Sequence, residues 1–349
     1  MDLKKLLRLL YDQCNIKPDS IVDILPATPL QMELMAATSI NPNPYISQQS
    51  WDLPEDIDLT RFQWAWFSVS HSMPILRTRM FMDGPNVFQV LLHTLPTWHW
   101  ASDLDRYLES DRKCTYGLGT ELMQFWLVRN SKGGRHFIWT CHHSLYDGRF
   151  MELIMTQLLA FYANTPFPKL TPFNSYIKFL KERDVQMERQ FWQKKLEGAA
   201  RPSFPENVDS TDSAVDGCIE LRVTLMHGNS GGHYSPTLCI QAALALALAR
   251  WANSDDVLFA VTLNGRTAPI MGIDNVAGPT ISTVPLRCFV ELTGQADTLM
   301  EQIRSTLLEL APYQHSGITG IRHLTNEALG LTTHLIIQSH EIQEHKTSE

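Results

Sequence analysis

Seven residues near the middle of the chain, His142-His143-Ser144-Leu145-Tyr146-Asp147-Gly148, bring two imidazoles, a carboxylate and a glycine into one short stretch. An imidazole, with an unperturbed pKa of ~6.5, can take and give a proton near neutral pH. The chemistry on offer is general acid–base work on a reacting group. Residues 136–141, just upstream, are rich in aromatic and β-branched side chains and read as a strand. If that strand runs on through position 143, the two rings point to opposite faces, so one works and the other supports the loop. Asp147 has three readings. It can orient a histidine as in a catalytic triad, anchor the loop by pairing with an arginine, or cap the helix after it. Gly148 would free the backbone for a sharp turn into that helix. A histidine pair can also be purely structural and Asp-Gly a plain turn signal, so spacing alone leaves these readings open.

Several elements must position this stretch. Residues 122–128 form a second strand, and Ser131-Lys132-Gly133-Gly134 a turn that makes it antiparallel to 136–141. After Gly148, Phe150, Leu153, Ile154, Leu158 and Phe161 share one helical face. Thr28 and Pro29 open a helix as N-cap and first helical residue, and Asp58 caps another in which Leu59, Phe62, Trp66 and Val69 recur. The N-terminal residues read as a short helix. The break at 163–168 is the expected lobe boundary, with helices following at 172–180 and 184–197. Residues 199–217 read as a loop. Residues 218–224, 257–262 and 335–337 read as strands. Residues 238–251, apolar nearly all round, predict a helix buried on most sides, and Leu299, Ile303, Leu307 and Leu310 mark another. The tail 339–349 is polar and expected to lack order.

The 349 residues are 44% hydrophobic and 19% charged, a globular composition long enough for two lobes. The net charge is -8 and no basic block stands out, so no nucleic-acid partner is expected. The six cysteines (Cys14, Cys114, Cys141, Cys218, Cys239 and Cys288) are scattered without a CxxC pair. That excludes a zinc site and fits a reducing compartment. No signal peptide is visible, and the apolar run 240–248 is far short of the ~20 residues that span a bilayer. A cytoplasmic monomer with no membrane association is expected.

Five ordered stretches point to a family. His142-His143-Ser144-Leu145-Tyr146-Asp147-Gly148 matches HHxxxDG in full. Ala27-Thr28-Pro29-Leu30-Gln31 resembles a TPLQ motif, and Leu76-Arg77-Thr78-Arg79 an LRTRF motif. Phe191-Trp192 with Leu196 and Gly198 resembles FWxxxLxG. Residues 278–287, Gly-Pro-Thr-Ile-Ser-Thr-Val-Pro-Leu-Arg, resemble GPTxNTxPxR. The chain thus resembles the condensation domain of nonribosomal peptide synthetases, particularly fungal ones. HHxxxDG alone is shared by several acyltransferase families; the ordered set is more specific.

The resemblance implies an α/β (α+β) fold of two chloramphenicol-acetyltransferase-like lobes in a V: an N-terminal lobe, 1–170, carrying the histidine loop, and a C-terminal lobe, 171–349. It implies an acyltransferase that joins a carrier-bound acyl or peptidyl thioester to an amine. Peptidyl or acyl carrier domains would be the partners, delivering substrates on phosphopantetheine arms into a tunnel, with no cofactor or metal held by the chain itself. His143 would be the base or the group that positions the amine; His142 and Gly148 would hold the loop. Asp147 would pair with Arg77, since a buried carboxylate needs a partner and an arginine offers a bidentate match. Ser282, Thr283 and Arg287 of the late motif would serve the tunnel or its wall. An ester-forming or cyclising release enzyme of the same family and a non-catalytic carrier-docking module are the alternatives. The DFGWG motif of plant-type acyltransferases is absent, and Gly148-Arg149-Phe150 does not resemble epimerising relatives.

Three departures stand out. Glu33 replaces a usual glycine and Ser282 a usual asparagine. Members of the family also continue beyond 335–337 with further strands and a helix, so the second lobe is expected to be shortened at its C-terminus.

Overall fold

The computed structural model describes residues 3–41, 45–111, 114–129, 134–199, 217–223, 234–325 and 331–338. Most of the expected turn at 131–134, most of the loop at 199–217 and the tail 339–349 lie outside them. The chain divides into two compact units. The first comprises the residues up to Arg183 together with Asn264–Ile281; the second comprises Asp184–Leu263 and the residues from Ser282 onward.

The first unit runs α1 (Leu3–Cys14), β1 (Ile21–Pro26), α2 (Pro29–Ile40), β2 (Ile46–Leu53), α3 (Leu59–Ser72), β3 (Thr78–Asp83), β4 (Asn86–Leu92), β5 (Trp98–Ala101), α4 (Leu104–Asp111), β6 (Met123–Arg129), β7 (Arg135–His142), α5 (Gly148–Ala163) and α6 (Phe173–Glu182). One sheet has the order β2-β7-β6-β5, antiparallel except for β5 beside β6; a second, antiparallel throughout, has the order β1-β4-β3. The expected antiparallel pairing of β6 with β7 is present.

Alternation along β7 sorts its side chains. Phe137, Trp139 and Cys141 join the core that α3 and α5 cover with Phe62, Trp66, Val69, Phe150 and Ile154. Trp66 centres this core, its ring 4.8 Å from that of Phe125 and 5.3 Å from that of Trp139. Each such side chain contributes about 1.5–3 kcal/mol by leaving water. Thr140 and His142 fall on the other face, and His142 pairs in register with Ile46. Asp58 caps α3 through the amide of Arg61 at 3.0 Å, as its position in the sequence led one to expect.

The units do not part at 163–168. The helix ends there on Asn164 in the left-handed region, but α6 still buries Phe173, Tyr176 and Ile177 in the first unit's core. Beside it, Thr171 exchanges main-chain hydrogen bonds with Asn275 and Ala277, 2.9 Å each. What decides membership is where α6 buries its apolar face, and a proline-rich break does not report that. The expected division into 1–170 and 171–349 is corrected accordingly: the first unit keeps 171–183 and takes in 264–281.

The second unit contains α7 (Val185–Leu196), α8 (Pro236–Ala252), β8 (Asp256–Leu263), β9 (Ser282–Phe289), α9 (Ala296–Leu310), α10 (Gly317–Arg322) and β10 (His334–Leu335). Its sheet has the order β10-β8-β9, with β8 and β9 antiparallel and β10 parallel to β8. Its core gathers Trp192, Ala245, Phe259, Leu286, Ile303 and Ile321. Helix α8 buries one stripe, Leu238, Gln241, Ala242, Ala245, Leu248 and Ala249, while Trp251 is exposed. Composition overstated its burial because alanine suits either side of a helix. Residues 217–223 form no strand: Ile219, Leu221 and Val223 alternate suitably but are exposed and lack a pairing partner among the described residues.

Candidate active site

Strand β7 ends on His142, and the chain turns through the 3-10 segment His143–Leu145 before α5 begins at Gly148. The strand therefore stops one residue earlier than the alternation argument supposed, and the turn separates the two rings. His142 is fully buried; His143 is half-buried.

Main-chain groups fix the tautomer of each ring. The amide of Ser144 donates to Nδ1 of His142 at 3.1 Å, so that nitrogen carries the lone pair. Its Nε2–H then donates to Oγ1 of Thr38 at 2.9 Å, and the Thr38 hydroxyl donates onward to the carbonyl of Leu34 at 2.7 Å. Burial, with a smaller contribution from neighbouring His143, pulls the pKa of His142 down to about 4. His142 is thus neutral near pH 7, with both ring nitrogens hydrogen-bonded. His143 is held the opposite way. Its Nδ1 lies 2.8 Å from the carbonyl of Tyr146, which can only accept. In the neutral ring the proton sits on Nδ1 and Nε2 keeps its lone pair, with no partner among the described residues. The Tyr146 ring stacks on the imidazole, centroids 4.6 Å apart and planes 11° from parallel.

The TPLQ residues support this turn from below. Thr28 and Gln31 form a reciprocal capping box on α2, with Oε1 of Gln31 accepting from the Thr28 amide at 2.9 Å. The same Gln31 side chain is wholly buried and donates to the carbonyl of Ser144 at 3.2 Å. Its Oε1 also accepts from Gln89 at 3.2 Å. One side chain therefore caps α2 and holds the middle of the histidine loop.

Asp147 is the N-cap of α5, accepting from the amide of Phe150 at 2.7 Å. Its partner is not Arg77. Arg266 donates to it through Nη2 at 3.2 Å, and the amide of Thr280 donates at 2.7 Å. The same guanidinium reaches the carbonyls of Ile273, Val276 and Gly278 at 3.0–3.1 Å. Arg77 sits on the turn Pro74–Arg77 before β3 and spends its donors on the carbonyls of Ser70, at 3.2 Å, and Leu92. The buried carboxylate is paired with Arg266 and not with the motif arginine, whose donors engage two main-chain carbonyls.

Two glycines make the Arg266 arrangement feasible. Gly265 has φ +66°, and a Cβ there would lie 1.8 Å from the carbonyl oxygen of Thr280; a Cβ on Gly278 would lie 2.3 Å from the Phe173 ring. Gly148, in contrast, has no positive φ, and a Cβ there meets nothing within 4 Å. The expected sharp turn is made instead by the 3-10 segment and by Asp147.

The late motif is divided between the units. Thr280 and Ile281 turn their amides to Asp147 in the first. Ser282, Thr283 and Arg287 lie on β9 in the second. Ser282, in place of the usual asparagine, donates to the carbonyl of Gln314, and Thr283 bonds Thr262 at 3.2 Å. Arg287 forms a fork on Asp256, at 2.9 and 2.7 Å, and reaches the carbonyl of Glu197 at 3.0 Å. Arg287 thereby braces α7 against the sheet.

A family model for the condensation domain matches residues 21–349. The chain belongs to the condensation domain family. This condensation domain is similar to segments of fungal nonribosomal peptide synthetases. It is 36% identical over 332 residues to synthetase ungA of Aspergillus violaceofuscus, covering 93% of this chain and 3% of that protein. It is 33% identical over 321 residues to synthetase sidD of Aspergillus fumigatus, covering 91% and 15%. To peramine synthetase A of Epichloe festucae it is 34% identical over 328 residues, covering 93% and 12%. The condensation domain thus spans only a small part of these relatives. Among solved structures it resembles a crystal structure titled CT, with TM-score 0.75 and 22% identity, covering 98% of this chain and 80% of that one. It also resembles a mutant starter condensation domain of rhizomide synthetase RzmA in complex with C8-CoA and Leu-SNAC. There the TM-score is 0.70 and the identity 16%, with 90% and 78% covered. These likenesses establish that the chain shares the mixed α/β fold of those structures. No helix among the described residues is long and apolar enough to cross a membrane.

Proposed function

We propose that this condensation domain joins an acyl or peptidyl thioester, carried on phosphopantetheine by one carrier domain, to an amine carried by another. The observation that supports this reading best is the tautomer of His143: Nδ1–H is engaged by the Tyr146 carbonyl and Nε2 keeps its lone pair. As the amine nitrogen attacks the thioester carbonyl, Nε2 accepts the proton that the nitrogen must lose. The tetrahedral intermediate then collapses to the amide. The C–S bond breaks, and the departing thiolate takes the proton back from the imidazolium. No covalent acyl-enzyme is needed, and the chain's own part is to hold one lone pair in place.

His142 stays neutral throughout, and Asp147 works through Arg266 and the helix cap, not through either imidazole. Carrier domains are the expected partners, and a monomer in the cytoplasm the expected setting, which suits six free thiols. The test mixes the purified chain with acyl-loaded donor and aminoacyl-loaded acceptor carriers and weighs the product. Amide product that falls at least about a hundredfold in His143→Ala supports the reading. Product unchanged in that variant removes His143 from the role. An ester or cyclic product, or carrier binding without turnover, replaces the reading with a release enzyme or a docking module.

A further inference from the structure

Tyr146 occupies a position that the HHxxxDG pattern leaves open, yet it touches the working imidazole twice. Its main-chain carbonyl takes Nδ1–H of His143 at 2.8 Å, and its ring lies nearly parallel to the imidazole at 4.6 Å. Each contact restrains something different. The hydrogen bond opposes a flip about Cβ–Cγ that would exchange Nδ1 with a ring carbon, but it leaves the ring free to tilt about the N–H···O line. The parallel face opposes that tilt. Tyr146 is itself held: it is 7% exposed, and its ring packs 6.1 Å from that of Trp139 in the first unit's core. The face also suits the reaction, because an aromatic ring under an imidazolium favours the cation that forms when Nε2 takes a proton.

We propose that the Tyr146 ring is a positioning residue for His143: the main-chain carbonyl sets the Nδ1–H tautomer, and the ring face holds the imidazole against tilt so that the Nε2 lone pair keeps one direction. The ring face does this and the phenol hydroxyl does not. The inference rests on His143 being the proton acceptor, but its first test needs no turnover. The full chain, ring-labelled with 15N-histidine, gives two-bond 1H–15N correlations; His143→Gln identifies the His143 signals among the 13 histidines. Wild type and Tyr146→Phe are expected to show a single Nδ1–H tautomer at His143. Tyr146→Leu and Tyr146→Met keep side-chain bulk and the carbonyl but lack the flat face. Both are expected to keep the Nδ1–H tautomer that the carbonyl sets but to show His143 ring signals shifted and broadened as the imidazole tilts, while the His142 signals stay in place as the check on folding.

In the condensation assay, kcat is expected to fall about tenfold in the Leu and Met variants with KM unchanged, and to stay within about twofold in Phe. The proposal is overturned if a folded Leu or Met variant keeps the wild-type His143 spectrum, or if Phe loses it. An inactive wild type with the expected spectra would defeat the condensation reading and leave the stacking inference standing.

Discussion

The Asp147 carboxylate meets the Arg266 guanidinium at 3.2 Å, with only 1% and 4% of the two side chains exposed. A buried pair of this kind contributes little net stability when compared with apolar packing, but losing one member strands the other charge. Arg266→Ala and Asp147→Ala are each expected to cost about 3–5 kcal/mol in urea unfolding. The double variant should cost less than the sum, since neither charge is then left alone. Arg77→Ala combined with Asp147→Ala should instead be additive within about 0.5 kcal/mol, because the two side chains share no partner. Strong coupling between Asp147 and Arg77 would contradict the arrangement described.

His142 makes folding sensitive to acid. Its folded pKa is about 4, below the ordinary 6.5, so the unfolded chain binds more protons between these values. The contribution is fully present above pH 6.5 and is lost as pH falls towards 4. At 1.36 kcal/mol per pKa unit it amounts to roughly 3 kcal/mol. Urea midpoints measured at pH 7.5 and 5 should therefore differ more for wild type than for His142→Gln. Equal differences in the two proteins would show that His142 does not carry the effect.

Gln31 is expected to matter more than its distance in sequence from the loop suggests. Gln31→Ala removes the donor to Ser144 and the acceptor for Thr28 and Gln89, all buried. A loss of about 2–4 kcal/mol in unfolding free energy is expected, exceeding the ~1 kcal/mol of a lost cap alone. Thr28→Ala gives the comparison, since it removes the cap and spares the Ser144 contact. Equal costs in the two variants would mean that the bond to Ser144 contributes nothing.

The three loop glycines should behave differently. Gly265→Ala and Gly278→Ala place a Cβ against the Thr280 carbonyl or the Phe173 ring and are expected to lower the melting temperature sharply. Gly148→Ala should leave it unchanged or raise it slightly, since alanine favours a helix by up to about 1 kcal/mol over glycine and the space is open. Calorimetry on the three variants checks this. A marked loss of stability in Gly148→Ala would show that the motif glycine has a backbone role absent from this structure.

What depends on local order was legible in the residues alone. The caps at Thr28 and Asp58, the strand leading into the histidine pair, the helix after Gly148 and the five motifs that marked the family all rest on neighbours a few residues apart. Alternation led one to expect different tasks for the two histidines, on the premise of a strand running through position 143. It could not show that the strand ends at His142, where the Ser144 amide closes back on the imidazole. The partners of the loop come from elements distant in the chain, which the fold brings together. Arg266 lies 119 residues from Asp147, and Gln31 lies 113 residues from Ser144. A buried carboxylate demands a cation, but nothing in the spacing of arginines says which one the fold will bring. The unit boundary was hidden for the same reason: burial of α6 and of 264–281 is a property of packing, while the proline break at 166–168 reports only where the chain bends.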